Sequence, residues 1–301
     1  MLDIAIIIVS WNVRDYLADC LRSVYTDLRQ SGLRASTWVV DNNSTDGTAE
    51  LVADLFPHVH LIQNDHNPGF GAANNQGMRA AASHEPRYYF LLNPDTFVRQ
   101  GHSAPLSISW IAPPSRHGGA RLVYGDGRFQ HSAFAFPGLS QLLFDLFPLP
   151  NRLYESKANG RYPRRLYHAQ GQPFPVDHPL GATMLVRRDV AEATGGFDEA
   201  FFMYCEELDW CWRIHQAGWQ IYTVPSAEIV HYGGESTKQA AARSVINLWE
   251  SRARFYRRHY GRWRNTLARH IVKMGMKRKL AQTSEPTLQQ AYQEVVSLWL
   301  K

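Results

Sequence analysis

Cysteine is scarce in this chain: three among 301 residues, Cys20, Cys205 and Cys211, with no CxxC pair. An odd count without paired spacing argues against a disulfide framework and a structural zinc site, and it suits a reducing compartment. Long apolar runs are missing too, since no stretch approaches the roughly 18 uninterrupted apolar residues of a membrane-spanning helix. The opening MLDIAIIIVSW has no positively charged leader and only a short apolar run. It is expected to be a buried strand, not a signal peptide. Internal repeats and low-complexity segments are absent. Acidic residues vanish from one stretch: residues 251–284 carry eleven Lys/Arg and no Asp or Glu, leaving 21 basic against 27 acidic residues elsewhere. A mildly acidic body with a strongly basic tail suits an anionic membrane surface. The acidic remainder argues against nucleic acid.

What is present is an ordinary globular composition, 45% hydrophobic and 20% charged, long enough for one large domain or two small ones. Through the first hundred residues strands and helices alternate. Strand-length apolar runs stand at Ile4–Val9, Trp38–Val40, Val59–Ile62 and Tyr88–Leu92. Helical patterns fall between them at Tyr16–Leu28, Thr48–Phe56 and Ala72–Ala82. This alternation predicts βαβ units and a Rossmann-like, mostly parallel sheet flanked by helices. Ligands of such sheets bind beyond the carboxyl ends of the strands. Those ends read Ser10-Trp11-Asn12, Asp41-Asn42-Asn43, Asn64 and Asn93-Pro94-Asp95, a row of polar side chains. Residues 101–175 carry little pattern. Pro113-Pro114 and Gly118-Gly119 suggest loops, and an amphipathic piece is expected around Gln141–Phe147. Strands are expected again at Gly181–Arg187 and Gln220–Val224 before Ile229-Val230-His231, with a helix at Glu206–Gln216.

Several motifs carry chemistry. VVDNNSTDGT (39–48) ends a strand in Asp41 and continues with residues suited to turns and caps. NPGFGAANN (67–75) puts two glycines before a helix, where backbone N–H groups could meet a diphosphate. LLNPD (91–95) ends a buried strand in a carboxylate, placed to give one oxygen to a hard cation that bridges phosphates. FDEAFFMYCEELDWCWR (197–213) is the densest signal. Glu206, Glu207 and Asp209 lie among Phe, Tyr and Trp, which a solvated helix face does not explain. Apolar surroundings raise a carboxylate's pKa and make it a better base. His231, in IVHYGGES, follows a strand and gains weight from this company.

The ordered set SWN, VVDNNSTDGT, NPGFGAANN, LLNPD, GATMLVRR, GGFDEAFFMYCEELDWCWR and HYGG resembles family 2 glycosyltransferases, in particular the bacterial rhamnosyltransferase-like branch, over about residues 3–260. The resemblance implies a GT-A fold and inverting sugar transfer from a nucleoside-diphosphate sugar. dTDP-rhamnose is the suggested donor, a glycan or lipid-linked glycan the acceptor, and Mg²⁺ or Mn²⁺ the cofactor. It implies a catalytic domain over 1–235, with a nucleotide-sugar half (1–100) and an acceptor half (101–235), followed by a basic helical extension over 236–301. By position, Asp41 resembles the residue that reads the base, and Asn12 lies in the first-strand donor loop. Ser10, Asn43, Asn67, Gly71, Asn74 and Asn93 complete the nucleotide-sugar side. Asp95 resembles the last position of a DxD-type metal motif, and His231 an additional metal ligand. Glu207 stands at the catalytic base, with Glu206, Asp209, Trp210 and Arg213 shaping the site or the acceptor side. Two departures stand out: Asn93 replaces the motif's first Asp, and Glu207 stands where Asp is commoner, so Glu206 is a second candidate base.

The resemblance thus implies an enzyme of cell-surface polysaccharide synthesis, cytoplasmic and peripheral on the inner face of the membrane. A nucleotidyltransferase is disfavoured, because SWNVRDYLADC lacks a glycine-rich, Arg-containing loop. Asn93 keeps open a non-catalytic nucleotide-sugar-binding or membrane-scaffold protein with a decayed site. In the tail, Gly261 is expected to interrupt the helix. Beyond it Trp263, Leu267, Ile271 and Met274 recur on one helical face among Arg264, Arg269, Lys273, Lys277, Arg278 and Lys279. Such a face can lie in a lipid headgroup layer or pack on the protein itself.

Overall fold

The computed structural model describes residues 1–99, 117–168, 170–233 and 241–300; Pro113-Pro114 and Gly234 lie outside them. Four parallel strands open the chain: β1 (Ile4–Ser10), β2 (Ala35–Asp41), β3 (His60–Gln63) and β4 (Tyr88–Leu92). The helices between them are α1 (Arg14–Ser31), α2 (Thr48–Leu55) and α3 (Phe70–Ala81). β1 is buried along its whole length, as expected of a strand covered on both faces. Its side chains alternate between two cores. Ile4, Ile6 and Ile8 meet Leu17, Leu21 and Val24 of α1, whereas Ala5 and Ile7 face Met78, Phe197 and Trp210, following the two-residue strand period.

Beyond β4 the sheet is mixed. Strands β5 (Thr96–Val98), β6 (His117–Val123), β7 (Phe129–Gln130), β8 (Ala133–Phe134), β9 (Phe174–Val176), β10 (His178–Pro179), β11 (Thr183–Arg187) and β12 (Ile221–His231) follow in chain order. The sheet runs β3-β2-β1-β4-β11-β6-β12-β5, with β7 on β6 and β9 on β12, while β8 pairs with β10 apart from it. β11 is antiparallel to β4 and β6, and β12 is parallel to β6. The expected parallel pairing holds through β1–β4 and again at β6–β12, while β11, β5, β7 and β9 add antiparallel pairs. Two segments expected as separate strands are one, β12, whose register shifts between Val224 and Glu228, where Pro225 offers no N–H to the ladder. Gly118-Gly119, expected as a loop, lies inside β6. A Cβ at Gly118 would sit 1.8 Å from the Tyr222 carbonyl oxygen, so these glycines serve close strand approach.

The later helices are α4 (Leu139–Leu146), α5 (Asn151–Tyr154), α6 (Arg188–Thr194), α7 (Glu206–Gln216), α8 (Ala241–His259), α9 (Arg262–Gln282) and α10 (Pro286–Leu300). Gly261 separates α8 from α9 as the N-cap of the latter. These C-terminal helices are joined to the body by a shared core: Trp249, Phe255, Val272 and Trp299 pack with Leu142, Phe201 and Leu208. Within α9, Ala268, Val272 and Met276 are buried and Ile271 is half-buried, whereas Trp263, Leu267 and Met274 are 62%, 46% and 56% exposed. The apolar stripe is thus Trp263, Leu267, Met274 without Ile271, and it points away from the core. No helix among the described residues is long and apolar enough to cross a membrane.

Candidate active site

The carboxyl ends of β1, β2 and β4 open into a cleft of about 240 Å³. At the end of β2, Asp41 is buried and its Oδ2 accepts the Ser44 N–H at 3.0 Å, while Oδ1 makes no hydrogen bond among the described residues. Ser10 Oγ, at the end of β1, is buried in the same way. Asn12 stands at positive φ, and its Oδ1 accepts the Thr45 N–H at 2.8 Å. It stitches the β1 loop to the β2 loop. Asn42, not Asn43, turns into the cleft: Asn43 is an exposed turn residue with φ 63°, while Asn42 is buried between Asn64 and Asn67, at 3.0 and 3.2 Å.

The glycine-containing stretch has a structural role different from the one expected. Gly69 has φ +98° and its absent Cβ would lie 2.3 Å from the Phe202 carbonyl oxygen. The Gly69 and Phe70 N–H groups are occupied by Asn67 Oδ1 and the Phe202 carbonyl, so neither is turned to a diphosphate. A Cβ on Gly71 would press on Phe197 at 3.1 Å. Asn74 caps back onto the Phe70 carbonyl at 3.0 Å, and its neighbour Asn75 clamps both backbone polar groups of Phe197. The segment locks α3 against 197–202; of it, Asn67 and Phe70 line the cleft.

Asp95 follows β4 and His231 ends β12, and the β5–β12 pairing brings them together. His231 Nε2 lies 3.5 Å from Asp95 Oδ1, both side chains about 7% exposed. On the far side of the ring, His231 Nδ1 is 3.2 Å from Gln130 Oε1. An imidazole that gives its Nδ1–H to this amide oxygen keeps the Nε2 lone pair on the Asp95 side. That tautomer suits a metal ligand. Asn93 Oδ1, buried without a partner among the described residues, opens on the same cleft. No cluster of three or more His, Cys, Asp or Glu suited to a metal occurs among the described residues.

The carboxylates come from α7. The chain enters this helix through two successive non-glycine residues in the left-handed region, Tyr204 (φ 69°) and Cys205 (φ 63°), a conformation that costs on the order of 1–3 kcal/mol per residue and persists only where its surroundings hold it. Here Ser251 Oγ of α8 donates to the Met203 carbonyl at 2.8 Å and Phe70 N–H to that of Phe202 at 3.0 Å. The turn delivers Glu206 and Glu207 to the cleft wall opposite Gly181 and Ala182. Burial pushes the Glu207 carboxyl up to about 7, opposed by its own N–H and that of Leu208. Burial, reinforced by the Glu207 charge, raises Glu206 well above the usual carboxylate range. Burial thus drives both neighbours toward the neutral form, and Glu207, at about 7, is the carboxyl poised to exchange a proton near neutral pH.

Asp209, Trp210 and Arg213 lie behind this wall. Fully buried Asp209 accepts from Arg213 Nε and His259 Nε2, each at 2.8 Å. Despite burial, these bonds hold its carboxyl below the usual range. Arg213 also reaches the Thr194 and Gly196 carbonyls, and Trp210 Nε1 donates to Thr194 Oγ1 at 2.7 Å. These residues hold α7 in place and do not line the cleft. Of the sequence-predicted residues, the cleft gathers Asn67, Asn93, Asp95, Glu206, Glu207 and His231. Trp11, Phe70, Tyr204 and Gln130 were missed. Trp11 stands in the strand-end row Ser10-Trp11-Asn12 but carries no assigned role in the sequence reading.

A parallel α/β half joined to a mixed half, with Asp95 after β4 and Glu207 lining the same cleft, is the arrangement of a GT-A glycosyltransferase. The Glycosyl transferase family 2 profile matches residues 5–130. The N-acetylglucosaminyl-diphospho-decaprenol L-rhamnosyltransferase of Mycobacterium tuberculosis (strain ATCC 25618 / H37Rv) is 31% identical over 251 residues, covering 77% of this chain and 78% of the relative. Rhamnosyltransferase WbbL of Escherichia coli (strain K12) is 24% identical over 83% of this chain and 90% of its own length. The solved mannosyltransferase PcManGT of Pyrobaculum calidifontis, in complex with GDP-Man and Mn²⁺, superposes with a TM-score of 0.55 at 14% identity, over 99% of this chain and 84% of its own. The chain belongs to glycosyl transferase family 2, as a rhamnosyltransferase-like glycosyltransferase.

Proposed function

We propose that the chain transfers rhamnose from dTDP-rhamnose, with inversion, to a hydroxyl of a lipid-linked glycan in cell-surface polysaccharide synthesis. The observation that carries this reading is the convergence of Asp95, His231 and Glu207, from three distant stretches, on one cleft at the strand ends. The unpartnered Asp41 Oδ1 suits a base N–H, and Asn42 and Asn67 suit the donor's polar groups. Asp95 and His231, with the Asn93 amide oxygen beside them, are the residues that would hold Mg²⁺ or Mn²⁺. A hard cation takes few protein oxygens when phosphates supply the rest. When bound, that ion neutralises charge gathering on the leaving diphosphate.

Glu207 accepts the acceptor hydroxyl's proton as its oxygen bonds to the anomeric carbon. The bond from that carbon to the phosphate oxygen breaks, and the nucleoside diphosphate leaves with the electron pair. Attack opposite the leaving group inverts the anomeric centre.

The exposed face of α9 supports attachment to an anionic membrane. Trp263, Leu267 and Met274 lie within a helix whose exposed cations include Arg262, Arg264 and Lys277, and Arg264 stacks near the Trp263 ring at 5.3 Å. Each cation near an anionic surface contributes about 1 kcal/mol. The function is tested by following dTDP release from dTDP-rhamnose with Mn²⁺ and a lipid-linked acceptor, wild type against Glu207→Gln. Equal turnover of the two would overturn it.

A further inference from the structure

A second cavity, of about 540 Å³, adjoins the cleft, and Leu180 lines both. Gln130 lines the second cavity and is 3.2 Å from His231 Nδ1, a residue that lines the first. Three guanidinium groups, Arg128, Arg161 and Arg164, line it against one carboxylate, Glu155. Glu155 acts as their organiser. It accepts from Arg161 Nη1 at 3.0 Å, Arg164 Nε at 3.1 Å and His131 Nε2 at 2.8 Å. A guanidinium has five N–H donors, so fixing Arg164 through Nε and Arg161 through one Nη orients both forks while leaving donors over. Arg128 is used the same way, through Nε to Asp126 at 2.7 Å. Phe129 lies under the Arg164 guanidinium at 5.2 Å. Buried His131, its Nε2–H directed to the Glu155 carboxylate, keeps an Nδ1 lone pair without a partner among the described residues.

A structural ion-pair network would balance its charges; here three guanidinium groups face two carboxylates, Glu155 and Asp126, which leaves one surplus cation around an open, partly aromatic cavity. Surplus guanidinium donors held in place are the usual receptor for phosphate oxygens. We propose that this cavity is the acceptor's anionic subsite: it binds the phosphate or diphosphate that links the acceptor sugar to its carrier, while the sugar reaches past Leu180 to Glu207. This rests on the reading above that the acceptor is a lipid-linked glycan. It gives a role to segments 124–134 and 155–164, which wall the cavity beside the cleft.

The test is calorimetric titration of the full chain, its cleft saturated with dTDP and Mn²⁺, with N-acetylglucosamine 1-phosphate, N-acetylglucosamine and inorganic phosphate. Wild type is expected to bind the sugar phosphate at least tenfold tighter than either fragment. Arg161→Gln/Arg164→Gln, and separately the exposed Arg128→Gln, should erase most of that preference while leaving dTDP affinity unchanged. Retained dTDP binding also reports that each variant is folded. A wild type without preference for the phosphorylated sugar, or a preference that survives both variants, overturns the proposal. Inorganic phosphate binding as tightly as the sugar phosphate overturns it too, reducing the cavity to a general anion site. Failure of wild type to bind dTDP counts against the donor reading alone, and the three-ligand comparison is then read without it.

Discussion

Replacing Glu207 by Gln keeps the side chain's size and one hydrogen-bonding oxygen but removes its capacity to take a proton. The wild-type carboxyl is pushed by burial up to about 7, so near pH 7 about half of the molecules carry the base form, and each unit of acidification below that removes about tenfold. The kcat/KM profile is therefore expected to rise with pH and level off above about 7, since that profile reports the free enzyme's groups. Glu207→Gln should lower kcat by about 10²–10⁴-fold with dTDP affinity unchanged, the contribution general-base catalysis typically makes. Glu206→Gln, a neutral isostere of a carboxyl that burial drives toward its neutral form, should stay within a few-fold of wild type and keep the acidic limb. Stability gives a second readout. Because the folded pKa exceeds the unfolded one, this group's favourable share is complete below pH 4.5 and is lost as pH rises toward 7. The shift corresponds to about 3 kcal/mol. Glu207→Gln should therefore melt higher than wild type at pH 8 and about equal to it at pH 4.5. A normal rate for Glu207→Gln with a crippled Glu206→Gln would show that the base is the other carboxyl.

Excess EDTA should abolish transfer, and Asp95→Ala or His231→Ala should weaken Mn²⁺-dependent donor binding at least tenfold by titration; full activity in EDTA refutes the metal assignment. Asp209→Ala strands Arg213 and His259 beside a buried site and should cost about 3–5 kcal/mol in chemical denaturation; a loss below about 1 kcal/mol would show that the pair does not hold α7. Gly69→Ala meets both a left-handed backbone and the Phe202 carbonyl at 2.3 Å, so a drop in Tm of several degrees is expected, and an unchanged Tm refutes that packing argument. Trp263→Ser/Leu267→Ser should reduce co-sedimentation with anionic vesicles without altering dTDP binding; equal pelleting on anionic and neutral lipid counts against membrane attachment.

The first half of the fold was legible because β1 to β4 are apolar runs bounded by polar strand ends, and α1 to α3 keep a helical period between them. Glu206–Gln216 matches α7 for the same reason. Gly118-Gly119 misled, because a glycine needed for close approach to Tyr222 looks the same in sequence as one needed for a turn. The site's carboxylates and His231 stood out by being polar in apolar company. Asn12, Gly71 and Asn74 also hold loops and α3 in place, through hydrogen bonds and packing that no motif reveals. Gln130 could not be found, since its role is to fix His231 across 101 residues of sequence, and only the folded sheet brings the two together. Ile271 fell on the expected stripe at helical spacing, but the neighbouring core cluster draws it inward.

Transfer by the cleft, as against donor binding alone, is read by incubating the full chain with dTDP-rhamnose, Mn²⁺ and a lipid-linked N-acetylglucosaminyl diphosphate, and following dTDP and the product's anomeric configuration by NMR. Stoichiometric dTDP release with a single product of inverted configuration is predicted. Donor binding without dTDP release, as a decayed binding protein would show, or a product with retained configuration, would contradict the account.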